Sequence, residues 1–299
     1  MSERRIAALD IGGTKIKACL FEGDTPIHKN ECDTLAHDGG ASAVLERAAA
    51  LLHPFLPADA IGISTAGQVD PSTGVIRYAN ENLPGYTGTD VKSYFKARFG
   101  CPVAVLNDVY AAALGEGTQG AARGIQNYLC ITYGTGVGGG IILNGEPYYG
   151  AGSSAGIMPG GLILQPDKLS ESDPFAGTYE RCASTTALCA SASALDPVLD
   201  NGRAIFQRLQ EPMVCAVVDH WLEYVAAGIV TLIHVLNVPF VVLGGGVMEQ
   251  SYAIEEAKKR VAAKLIPGFR GVKVVAAQLG NMAGLYGAAQ QARQELSGE

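Results

Sequence analysis

Two aspartates and two glycine turns hold the residue types with which this sequence could do chemistry. Asp108 follows an apolar run at 102–106 directly after Asn107, and a mostly alanine helix is predicted from 109. A carboxylate fixed at a strand end, beside an amide able to hold a hydroxyl, can take that hydroxyl's proton as it attacks phosphorus. Asp108 is equally suited to cap the helix behind it, and the two roles are compatible. Asp10 closes another apolar run, just before the turn Gly12-Gly13-Thr14-Lys15. There a carboxylate can hold Mg²⁺ or its water shell against phosphates, or simply stabilise the turn. A second turn, Gly134-Thr135-Gly136-Val137-Gly138-Gly139-Gly140, is set in the same way between extended apolar runs. Glycine admits left-handed torsions and lets a ligand approach bare N–H groups, so each turn suits a phosphate oxygen. Two of them suggest two clamps on one polyphosphate; the plainer reading is two hairpin turns in a glycine-rich chain. Lys15 either reaches a terminal phosphate as a point charge or is a solvated strand residue. Glu180 stands where a helix begins, a favourable place for negative charge in any protein.

The order strand, glycine turn, strand occurs at both places, which reads as a duplicated half-domain. Strands are predicted over 5–9, 15–21 and 26–32, then 60–64 and 103–106, with helices over 41–56, 91–99 and 109–117. The second half repeats the scheme: a meander over 128–148, a long loop to about 172, helices within 177–193 and 204–236, a strand at 239–243 opening into Gly244-Gly245-Gly246, a helix over 249–265 and a strand over 272–277. A triple-glycine turn between a strand and a helix makes a surface for something flat or anionic. The predicted lobes are 1–116 and 117–280, with a terminal helix over 281–299 packing back on the first.

Composition bounds the function. At 299 residues the chain is at the size where one core splits in two, so two lobes with a cleft are expected. A content of 48% hydrophobic and 17% charged residues describes a globular protein. The net charge of −7 disfavours nucleic acid as a partner. No apolar run is expected to reach membrane-spanning length and no secretory segment is apparent, so a cytoplasmic protein is expected. Seven scattered cysteines without a Cys-x-x-Cys pair argue against a disulfide framework and a zinc ribbon. The five histidines show no ligand spacing, and neither a Gly-x-Ser-x-Gly elbow nor a Walker loop occurs. Gly134-x-Gly136-x-x-Gly139 matches a dinucleotide-binding pattern but does not open a helix, and an NAD-dependent oxidoreductase would rest on that match alone.

Taken in order, Asp10-Ile11-Gly12-Gly13-Thr14-Lys15, Thr65-Ala66-Gly67-Gln68-Val69-Asp70, Asn107-Asp108, Gly134 to Gly140 and Leu243-Gly244-Gly245-Gly246-Val247 resemble the ROK family (repressor, open reading frame, kinase) from about residue 6 to 287. The resemblance implies an α/β, two-lobed actin/hexokinase-like (ribonuclease H-like) fold with a duplicated β-meander, helices and a central cleft. It implies ATP-dependent phosphorylation of a hexose or hexose derivative, at the 6-hydroxyl, with ATP and Mg²⁺ bound and a homodimer as the assembly. By resemblance Asp108 is the catalytic base and Asn107 its sugar-binding neighbour. Gly67, Asn82 and Glu180 contact sugar. Gly12, Gly13, Thr14 and Lys15 form the first phosphate motif, with Asp10 holding Mg²⁺ through phosphates and water; Thr135 and Gly136 form the second, and Gly245 and Gly246 the adenosine-side loop.

Two departures stand out. Where the family has Ala-Gly-Glu-x-Gly-His, this chain has Ala155-Gly156-Ile157-Met158-Pro159-Gly160, and the cysteine-rich zinc motif is replaced by Asp173-Pro174-Phe175-Ala176-Gly177-Thr178. No structural zinc is expected. A lost charged partner to a sugar hydroxyl is worth about 1.5–3 kcal/mol, so glucose, N-acetylmannosamine and β-glucosides all remain open as substrates. The first strand begins too early for the DNA-binding helix pair of the family's repressors. A sugar-sensing or scaffold protein with weak catalysis is the alternative to a kinase.

Overall fold

The computed structural model describes residues 3–152, 154, 156 and 158–298. In chain order the strands and helices are β1 (Arg5–Ile11), β2 (Lys15–Glu22), β3 (Thr25–Asp33), α1 (Gly40–Leu52), β4 (Ala60–Thr65), β5 (Gln68–Val69), β6 (Ile76–Tyr78), α2 (Val91–Phe99), β7 (Val103–Asn107) and α3 (Asp108–Gln119). Then come β8 (Tyr128–Tyr133), β9 (Val137–Leu143), β10 (Glu146–Pro147), α4 (Tyr179–Ala183), α5 (Thr185–Ser193), α6 (Gly202–Gln207), α7 (Pro212–Leu236), β11 (Phe240–Gly244), α8 (Ser251–Lys264), β12 (Lys273–Ala276) and α9 (Ala283–Ser297).

Two sheets of the same design result, one ordered β3-β2-β1-β4-β7 and the other β10-β9-β8-β11-β12. In each, an antiparallel meander is extended by strands parallel to its first member: β4 and β7 beside β1, and β11 and β12 beside β8. The chain separates into two units, Met1–Gly124 with Pro147–Ile157 and Asn281–Glu299, and Ile125–Glu146 with Met158–Gly280. Residues 117–124 and the described residues of 147–157 therefore group with the first unit, not with the second as the sequence reading places them. The physical reason for the latter segment is local: the Tyr110 hydroxyl donates to Tyr148 O at 2.5 Å, and Arg77 donates to Gly152 O at 3.0 Å.

In the first unit both sheet faces are buried, which explains the unbroken apolar runs. Ala7, Leu9 and Ile11 point to a core shared with Val44 and Leu45 of α1 and Val91 and Phe95 of α2. Ile6 and Ala8 point to the other face, onto Leu285, Ala288 and Ala289 of α9. That helix sits so close that a Cβ on Gly62 would lie 2.0 Å from Ala288 O. The first strand thus serves two cores, and its last polar residue, Asp10, emerges at their common end.

In the second unit α7 is the central core helix, burying Trp221, Leu222, Val225, Ile229 and Ile233 against Leu129, Ile131 and Tyr133 of β8. By length and composition α7 could cross a bilayer, with a mean hydropathy of 1.5 over its most apolar stretch. This corrects the expectation that no run reaches that length. Half of that stretch is buried within the protein, which marks it as an internal helix.

Candidate active site

Parallel register brings the chemistry of the first unit to one place. Asp10 lies opposite Ser64, and Ser64 opposite Leu106; one residue further on, Ile11, Thr65 and Asn107 form the next row. Open sheets bind ligands outside the carboxyl ends of their parallel strands, and this row is that edge.

Asn107, not Asp108, caps α3. Its backbone is extended, and its Oδ1 accepts from the N–H groups of Val109 at 3.0 Å and Tyr110 at 3.3 Å. Its Nδ2 donates to Gly67 O at 2.9 Å and to Asp108 Oδ1 at 2.8 Å. Asp108 is already the first helical residue, and its Oδ1 also accepts from Val109 N–H at 2.9 Å. All three groups are therefore fixed by one amide side chain. Gly67, at φ +98°, adopts a backbone that only glycine takes easily, and a Cβ there would lie 2.8 Å from Tyr78 O.

Electrostatics follow from burial. Desolvation pushes the Asp108 carboxyl up to about 6, helped by the negative charge of Asp10 and opposed by the bonds from Val109 and Asn107. Asp10 is also raised by burial, against the pull of the Ser64 hydroxyl and of Lys17. The Ser64 hydroxyl donates to Asp10 Oδ1 at 2.7 Å, a contact that sequence reading did not find. Ser64 is fully buried. Removing a hydrogen bond to a charged group costs about 1.5–3 kcal/mol, so Ser64→Ala is expected to lower unfolding free energy by that amount in urea titrations at neutral pH. An unchanged midpoint would show that Asp10 does not depend on this donor.

The first glycine turn joins β1 to β2, with Gly12 N–H donating to Lys15 O at 3.0 Å. Thr34 braces it, its hydroxyl donating to Gly12 O at 2.7 Å and its N–H to Thr14 O at 2.9 Å. Asn82 lies against the turn: a Cβ on Gly13 would be 3.3 Å from Asn82 Cβ. Lys15 is turned to its cross-strand neighbours, with Nζ 2.8 Å from Asp33 and 3.8 Å from Glu31. Among the described residues no group of three or more His, Cys, Asp or Glu could hold a metal ion. A single half-buried carboxylate such as Asp10 fits Mg²⁺, which retains waters and binds through substrate phosphates.

The second unit gathers its own set. Gly244 lies opposite Thr132 in the parallel pair of β11 and β8, so the triple-glycine turn and the second glycine turn leave adjacent strand ends. Gly134 N–H donates to Gly136 O at 2.9 Å, closing the turn around Thr135. The start of α5 holds it from outside: Thr185 N–H donates to Gly134 O at 2.9 Å and the Thr186 hydroxyl to Thr135 O at 2.9 Å. Glu180, on the short helix α4, accepts from Val137 N–H through Oε2 at 3.0 Å. That carboxylate lies so close to Gly136 that a Cβ there would be 2.2 Å from Oε2. Gly246 opens a short 3-10 turn, and a Cβ on it would meet nothing within 4 Å.

The departures at 155–160 have a partial explanation. Ile157 lies outside the described residues. A Cβ at Gly160 would be 2.7 Å from Val137 O and 3.0 Å from Glu180 Cβ, so this backbone path leaves no room for the family's histidine.

The chain is similar in sequence and fold to known proteins. The sequence profile described as ROK family matches residues 6–295. A glucokinase of Halalkalibacterium halodurans is 32% identical over 314 aligned positions, spanning 96% of this chain and 94% of that one. Among solved structures, a ROK hexokinase from Thermus thermophilus superposes with a TM-score of 0.84 at 31% identity, covering 99% of this chain and 100% of its own. A ROK family glucokinase from Streptomyces griseus, solved with glucose and AMPPNP, gives a TM-score of 0.82 at 29% identity, over 97% of this chain and 99% of that one.

Proposed function

Because the chain belongs to the ROK family, we propose that it transfers the terminal phosphoryl group of ATP to a hexose or hexose derivative, at the 6-hydroxyl, with Asp108 as the general base. The observation that carries this reading is the Asn107–Asp108 pair, a carboxylate raised to about 6 and locked at a strand end by its neighbour's amide. A base poised near neutrality takes a proton efficiently without holding it too tightly.

In the proposed reaction the sugar hydroxyl donates its proton to Asp108 as its oxygen attacks the terminal phosphorus of ATP, whose bond to the bridging oxygen breaks as ADP leaves. Asn107, Gly67, Asn82 and Glu180 orient the sugar. The backbone N–H groups of Gly12, Gly13 and Thr14, and those of Thr135 and Gly136, receive phosphate oxygens. Gly245 and Gly246 form the adenosine-side loop. Mg²⁺, placed by Asp10 through water, would neutralise charge on the transferred group. Lys15 already has two carboxylate partners, so it would join the phosphates only by leaving them. Little covalent chemistry is asked of the protein, and positioning supplies most of the acceleration. A homodimer in the cytoplasm belongs to the same proposal; seven free cysteines accord with a reducing compartment.

ADP release measured across glucose, N-acetylmannosamine and β-glucosides tests the reading and names the substrate. Release stimulated by at least one of these sugars is expected. Folded protein that none of them stimulates would instead be the sugar sensor.

A further inference from the structure

The second unit contains a cleft of about 410 Å³ that none of the candidate site residues lines. This is within the range of small-molecule sites. Helix α7 contributes His220, Trp221 and Tyr224; Lys168 comes from a 3-10 turn (Pro166–Lys168) and Arg181 from α4. No Asp or Glu is among the lining residues.

The aromatic side chains are held before any ligand arrives. Trp221 Nε1 donates to Ala183 O at 2.8 Å and to Ser184 O at 3.1 Å. The Tyr224 hydroxyl accepts from Gln165 Nε2, and the His220 ring meets Tyr224 edge-on with centroids 5.1 Å apart. Fixed rings give up little entropy when a ligand covers them. The cations, in contrast, are only loosely engaged. Arg181 approaches Asp173 only at 3.9 Å, with both side chains about half exposed, and Lys168 makes no ion pair among the described residues. An exposed pair of that length contributes little and exchanges readily.

From two available cations beside an aromatic wall, we infer that this cleft binds a small phosphate monoester with a body of monosaccharide size. A monoester is close to a dianion at neutral pH and offers three acceptor oxygens, matching Lys168 and Arg181 together. Its body covers the rings of His220 and Tyr224, with the buried Trp221 behind them. The site lies apart from the residues of the proposed reaction, and the inference does not rest on that reading.

Trp221 is the only tryptophan in the sequence and packs beneath the cleft, so its emission reports on the cleft floor. Titrating the full chain with glucose 6-phosphate is expected to give a saturable change in emission. The double variant Lys168→Glu, Arg181→Glu is expected to weaken the apparent affinity at least tenfold. Ala216→Phe, a substitution at an exposed lining position on α7, keeps both charges and is expected to abolish the response by filling the cleft. Three results would each overturn the inference: no saturable change, an equal response to inorganic phosphate, or a response unaltered in both variants. A change in emission that follows protein concentration instead of the ester would assign the cleft to a second copy of the chain and overturn it as well. Since turnover is not the readout, the outcome stands whether or not the chain phosphorylates sugar.

Discussion

Asp108→Asn is expected to retain sugar binding and lower kcat by about 10²- to 10⁴-fold, the usual contribution of a positioned general base. Two hydrogen bonds to the carboxylate, from Val109 N–H and Asn107 Nδ2, both fall on Oδ1. An asparagine amide oxygen accepts the same pair, so the helix start and the Asn107 network survive while the proton acceptor is lost. The pH dependence has a definite sign. With its carboxyl raised to about 6, Asp108 is charged and able to accept a proton above that pH and neutral below it, so kcat/KM rises through about pH 6 and falls away on the acid side. Part of the elevation comes from the charge of Asp10, so Asp10→Asn is expected to move this acid limb to lower pH, whatever it does to the maximum rate. Steady-state ADP release across about pH 5 to 8 checks both statements. Asp108→Asn with the parent's turnover, or a limb that stays where it is in Asp10→Asn, would remove Asp108 from the role of base.

The parts of the fold legible in the sequence are those set by local pattern. Short apolar runs broken by glycine gave both meanders, because a strand buried on two faces needs no alternation; in β1, Ile6 and Ala8 serve one core while Ala7, Leu9 and Ile11 serve the other. What depends on register was not legible. Ser64 reaches Asp10 only because β4 runs parallel to β1 in a particular alignment, and nothing in either run encodes that alignment. Lys15 meets Asp33 through the pairing of β2 with β3, whose register shifts between Leu20 and Phe21. The order Asn107-Asp108 identified a strand end, but the sequence reading considered only Asp108 as the cap of the helix. The extended backbone of Asn107 makes it the cap instead, and the Asp108 carboxylate is left for other work. Glu180 stood out by resemblance to a family, whereas its contact with Gly136 arises from the packing of α4 beside the second turn.

Gly245→Ala is expected to cost about 3 kcal/mol or more in unfolding free energy, from conformational strain and overpacking together, while Gly246→Ala stays within about 1 kcal/mol of the parent. The three consecutive glycines look alike in sequence and differ in what surrounds them. At Gly244 an added Cβ would touch side-chain carbons, Thr132 Cγ2 at 3.3 Å and Ala277 Cβ at 3.6 Å, and such neighbours can give way slightly. At Gly246 the space is open. Gly245 has φ +96° and ψ 149°, a region that L side chains rarely enter, and a Cβ there would lie 2.1 Å from Tyr133 O. The obstacle is backbone, so it cannot rotate aside. It is also the carbonyl to which the Thr185 hydroxyl donates at 3.1 Å, one residue before Gly134. Any shift that relieves the clash therefore displaces the start of the second glycine turn, and the KM for ATP should rise in Gly245→Ala beyond the change seen in Gly246→Ala. Urea unfolding of the two variants separates the stability effect, and ATP titrations at saturating sugar separate the functional one. Equal losses in both variants would mean that the turn tolerates no side chain for reasons other than the approach of Tyr133.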